Sequence, residues 1–87
     1  MIVYNKLKVF PPVLKALRKE AGYTQQDLAL RLGVSRETVV AIEGAKRSSI
    51  DSLQLALLYK WWSVCKIKAT LNTVDKFTQL FKDLLDI

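Results

Sequence analysis

The chain contains no histidine. That rules out imidazole catalysis and leaves a zinc site without the ligands it needs. A lone cysteine, Cys65, rules out an intrachain disulfide framework. No apolar run approaches the ~20 residues that span a bilayer. The stretch Met1-Ile2-Val3-Tyr4-Asn5-Lys6 lacks the hydrophobic region of a signal peptide. There is no paired-carboxylate constellation and no glycine-rich phosphate loop, so enzyme chemistry has nothing to stand on. These absences predict a cytoplasmic, non-enzymatic protein with no cofactor, no metal and no membrane contact.

What is present is apolar content too high for a disordered tail and a strong positive charge. Eighty-seven residues predict a single domain with a small core, whose stability leans on a second copy. The net charge of +6 is unevenly placed: residues 1–50 carry nine Lys/Arg against four Asp/Glu, and residues 51–87 carry five against four. A basic N-terminal half is the electrostatic footprint of phosphate binding.

The densest pattern runs from Thr24 to Glu43 and reads as two short helices joined by a tight turn. Thr24, three residues before Asp27, is a capping-box-like start, and Leu28, Ala29 and Leu32 share one helical face. Gly33 can take the left-handed backbone that ends a helix. Ser35 is a good N-cap for the next helix, whose Val39 and Ile42 point back at the first. Arg36, Glu37, Val40 and Ala41 are left on the outer face.

Arg18, Gly22, the Thr-Gln-Gln-Asp-Leu-Ala run at 24–29, Leu32-Gly33-Val34-Ser35 and Ile42-Glu43 resemble the Cro/C1-type (XRE) helix-turn-helix family in type and spacing. The resemblance covers roughly residues 13–58. It implies a lambda-repressor-like domain that binds double-stranded DNA, with the helix over 35–43 in the major groove. By the same resemblance Ser35, Arg36, Glu37, Val40 and Ala41 reach base edges. Gln25, with Gln26 beside it, meets phosphate at a helix N-terminus, and Arg18 pairs with Glu43. Thr38 is assigned to phosphate or packing. Lys46, Arg47, Ser48 and Ser49 form a donor cluster suited to the DNA backbone. The family usually carries a glycine two residues after the glutamate and then a proline; here the segment Gly44-Ala45-Lys46-Arg47-Ser48-Ser49-Ile50 has no proline and is one residue shorter.

The expected fold is mainly α, a four- or five-helix domain with a short strand and a C-terminal helix added. Residues 1–10 read as a short strand or an ordered arm, stopped by Pro11-Pro12. Helix one is predicted over 12–20, helix two over 24–31, helix three over 35–43 and a loop over 44–50. Asp51 would cap a fourth helix over 51–62 that is apolar nearly all round. Alternation over 64–71 predicts a strand. Asn72 would cap a last helix over 73–85. Within one domain, 11–62 is the core and 63–87 an extension for dimerisation. Trp61, Trp62, Ile67, Phe77 and Phe81 are the expected dimer contacts. The expected partners are duplex DNA and a second copy. The alternative is an antitoxin that binds a toxin protein, suggested by a strand-after-helix layout similar to the Hip-type antitoxins.

Overall fold

Six α-helices and one 3-10 turn account for most of residues 9–51 and 53–85, which the computed structural model describes. The expected strand or arm over residues 1–10 falls almost wholly outside them. Helix α1 is Phe10–Glu20, α2 Gln25–Leu32, α3 Arg36–Glu43, α4 Arg47–Asp51, α5 Leu55–Cys65 and α6 Leu71–Leu85, with the 3-10 turn at Lys66–Lys68 between the last two. Helix α1 starts two residues earlier than predicted. Proline lacks only an N–H that the first turn does not use, so Pro11 and Pro12 sit inside that turn.

The core gathers one stripe from each of the longer helices. Leu14 and Leu17 of α1, Leu28 of α2, Val39 and Ile42 of α3, and Leu58 and Trp61 of α5 are all buried. The Trp61 indole Nε1–H donates to Leu14 O at 3.0 Å, so its one polar atom is satisfied inside. Helix α6 closes the assembly through aromatic rings. Phe77 meets Phe10 edge-on with centroids 5.7 Å apart and stacks on Trp62 at 4.8 Å and Phe81 at 5.5 Å.

Beyond Glu43 the structure corrects the sequence expectations in several places. The strand over 64–71 is absent: α5 runs on to Cys65 and a 3-10 turn follows. Alternation would put Cys65 and Ile67 on one face, yet Cys65 is buried and Ile67 is 87% exposed. The helical spacing of Leu58, Trp61 and Cys65 overrides the alternation, because it extends a stripe already in the core. The helix expected over 51–62 is broken in two, and Asp51 ends α4 instead of opening a helix. Buried Leu53 plugs the core between α4 and α5, and extended Gln54 starts α5. The loop expected over 44–50 is helical from Arg47 onward.

The last helix starts at Leu71, two residues early, so Asn72 lies within its first turn. Thr70 takes the capping role instead: its Oγ1 accepts the Thr73 N–H at 3.3 Å. The supposed dimer contacts also divide. Trp61 and Phe77 are buried in the chain's own core. Trp62 and Phe81 are half-buried, and only Ile67 stands fully out.

Candidate nucleic-acid interface

The turn between α2 and α3 follows from Gly33, whose φ of +75° is left-handed. Its N–H and that of Val34 both return to Ala29 O, at 2.9 and 3.0 Å, closing α2. A Cβ at Gly33 would meet nothing within 4 Å, so the backbone angle alone calls for glycine here. Thr24 and Asp27 form the full capping box: Thr24 Oγ1 accepts the Asp27 N–H at 3.0 Å, and Asp27 Oδ2 accepts the Thr24 N–H at 3.1 Å. The Thr24 backbone N–H, followed by its hydroxyl, holds the Asp27 carboxyl below its ordinary range.

Helix α3 opens on Ser35, whose Oγ accepts the Thr38 N–H at 3.2 Å and lies 2.9 Å from Thr38 Oγ1. Both hydroxyls are therefore joined within the first turn. Arg36, Glu37 and Val40 are exposed, Thr38 and Ala41 half-buried, and Val39 and Ile42 buried. The helix is gripped from one side and presents Arg36 and Glu37 at its N-terminal end.

The C-terminal end is anchored by a buried charge. Arg18 Nε donates to Glu43 Oε2 at 2.7 Å and Nη2 to Oε1 at 3.0 Å, a bidentate pair whose side chains are 10% and 3% exposed. Arg18 Nη1 donates to Tyr23 O at 2.9 Å. Gln25 Nε2 donates to Glu43 Oε1 at 3.2 Å. One arginine thus fixes α1, the start of α2 and the end of α3 together. Gln25, assigned to phosphate by resemblance, spends one amide hydrogen on this network, a role its sequence position did not signal. Gln26 beside it is exposed. The guanidinium of Arg31 lies 4.3 Å over the Tyr23 ring, and its Nη1 donates to Asp27 O at 3.2 Å.

After α3 the chain takes a left-handed step at Ala45, φ +58°. Ala45 N–H donates to Ile42 O at 3.0 Å and Lys46 N–H to Ala41 O at 2.9 Å, a Schellman closure. This step brings Lys46, Arg47, Ser48 and Ser49 directly beyond the end of α3. The first three are exposed, Ser49 is half-buried, and α4 packs on α3.

Among the described residues, no group of three or more His, Cys, Asp or Glu is placed to hold a metal, and no helix is long and apolar enough to cross a membrane. Burial pushes the Cys65 thiol up to about 11, so it stays protonated near neutrality and is no nucleophile.

A family model described as Helix-turn-helix matches residues 14–57, just over half the chain. The chain belongs to the Cro/C1-type helix-turn-helix family. The matched span of this helix-turn-helix protein ends inside α5, so most of α5 and all of α6 lie beyond it. A similar protein is described as an uncharacterised HTH-type transcriptional regulator of Methanothermobacter thermautotrophicus; it is 44% identical over 36 residues, covering 41% of this chain and 52% of that one. A second, from Methanocaldococcus jannaschii and described in the same terms, is 51% identical over 43 residues, covering 49% of this chain and 62% of that one. The chain therefore spans between about half and three-fifths of the length of these curated relatives. No solved structure matches it.

Proposed function

We propose that the protein is a sequence-specific, double-stranded DNA-binding transcriptional regulator, acting as a dimeric repressor that docks α3 in the major groove. The observation that carries this reading is the asymmetry of α3. Its inner stripe and C-terminal glutamate are locked into the core, while Arg36 and Glu37 stand exposed at the other end. A rigid helix offered by its N-terminal outer face is the reading geometry of the helix-turn-helix. Arg36 would bind guanine O6 and N7, Glu37 would accept from cytosine N4, and Val40 or Ala41 would touch a thymine methyl. Ser35 is also assigned to base edges, through the hydroxyl it now shares with Thr38. Gln25, Gln26 and Thr38, with Lys46, Arg47, Ser48 and Ser49, would hold the phosphates and set register. The names of the two relatives support the regulatory role.

The antitoxin alternative draws on a strand and a C-terminal helix as the toxin-contacting extension. Of these the C-terminal helix is present as α6, whereas α5 and the 3-10 turn stand in place of the strand, so the layout favours it less than the free-standing regulator.

Selection of duplex sites from a random library tests the reading, followed by binding of two variants at several salt concentrations. A two-fold site with half-sites about 34 Å apart is expected. Arg36→Ala should lose about 1–3 kcal/mol at one base position and relax preference there. Lys46→Ala should weaken every sequence alike and shrink the salt slope by about one. If neither variant alters binding to the selected site, α3 is not the reading element.

A further inference from the structure

Helix α6 carries an exposed stripe that plays no part in the reading above. Leu71, Asp75, Thr78, Lys82 and Leu85 recur at steps of 4, 3, 4 and 3, the spacing of a coiled-coil seam. All five are exposed, although the buried face of the same helix is already filled by Thr73 and Phe77. Two of them are large aliphatics: Leu71 is 82% exposed and Leu85 is 39% exposed. The stripe borders an apolar groove of about 250 Å³ between α5 and α6, lined by Tyr59, Trp62, Phe77 and Phe81 with Thr78 and Lys82 on its edge. Tyr59 and Leu55 continue the exposed apolar surface along α5.

The order along the stripe is aliphatic, acidic, neutral, basic, aliphatic. Laid antiparallel on a copy of itself, with a two-fold axis at Thr78, it is self-complementary. Leu71 then meets the copy's leucine 85, and Asp75 lies within one residue, about 1.5 Å along the axis, of the copy's lysine 82, inside the reach of a lysine side chain. A two-fold contact needs a patch that matches itself in this way. Asp75 and Lys82 are about 10 Å apart along the helix at 1.5 Å per residue, too far to pair within one chain. Neither makes an ion pair with a described residue.

We infer that this face of α6 is the dimer contact, occupied by the same helix of a second copy running antiparallel. It rests on the dimeric reading and assigns that reading a surface outside the family-matched span. The groove beside the stripe gives the contact its apolar flank, and the two symmetry-related Asp75–Lys82 pairs set its register.

Charge exchange tests it. The unaltered chain, Asp75→Lys, Lys82→Asp and an equimolar mixture of the two variants are compared by sedimentation equilibrium at low salt, where surface charge is least screened. Circular dichroism checks that the helical content of each is retained. The unaltered chain is expected to dimerise. Each variant alone places like charges across the axis and should raise the dissociation constant about tenfold or more. The mixture brings two lysines against two aspartates and should recover the original affinity as a heterodimer. Unchanged association of the single variants, or a mixture no tighter than either alone, overturns the inference. In that case a dimeric unaltered chain means the surface is wrong, whereas a chain monomeric both alone and on DNA sinks the dimeric reading itself.

Discussion

Ala45 carries local strain just past the end of α3. The family usually places glycine two residues after the glutamate; here glycine comes one residue early, and alanine takes the left-handed angle. Gly44 has an ordinary φ of −83°, so its freedom is unused. A left-handed alanine costs about 1–2 kcal/mol that glycine avoids, partly offset by glycine's greater unfolded-state entropy. Ala45→Gly should therefore raise stability by about 0.5–1 kcal/mol, read as a higher urea midpoint with an unchanged slope. Gly33→Ala should do the reverse, losing about 1 kcal/mol, since it forces the same angle on a residue with a Cβ. Equal stability of the two variants would mean that neither turn depends on its backbone angle.

Between elements, two carboxylates do different work. Glu43 is buried and shared between Arg18 and Gln25. Removing the arginine leaves that charge uncompensated, so Arg18→Met should cost about 3–5 kcal/mol. Replacing both partners, Arg18→Met with Glu43→Leu, should cost much less, because no lone charge remains buried. Additive losses in the double variant would refute this account of the clamp. Glu20 instead joins the end of α1 to the start of α6. Its Oε1 accepts the Thr70 N–H at 2.8 Å and its Oε2 accepts from Thr73 Oγ1 at 2.7 Å. The Thr70 N–H first, then the Thr73 hydroxyl, hold its carboxyl below the ordinary glutamate range. A folded-state value below the unfolded one adds stability above the unfolded value, lost as pH falls through the folded one. Glu20→Gln should lower the thermal midpoint near neutrality and reduce its fall on acidification. A variant that melts in parallel with the original chain at every pH would show that the latch contributes nothing.

At the scale of the whole molecule, the family-matched span does not close its own core. Leu14 O accepts from the Trp61 indole, and the rings of Phe10 and Trp62 pack on that of Phe77; all four aromatics lie outside residues 14–57. A chain ending after Lys68 should melt well below the full one and bind hydrophobic dyes, and full cooperativity of that fragment would contradict the dependence. The sequence by itself determined the helix-turn-helix, its capping box, its glycine turn and the face that Arg36 and Glu37 occupy. These are local: each depends on residues three or four apart and on one backbone angle. Only the tertiary structure decided where the helices beyond Glu43 begin and end. Val64 to Leu71 alternates as a strand would, yet Cys65 is claimed by the stripe of Leu58 and Trp61. The same packing drew Trp61 and Phe77 inward, whereas the sequence alone placed them between two copies. Apolar residues must be covered, but which neighbour covers them depends on how separate helices meet in space, and no short-range pattern records that.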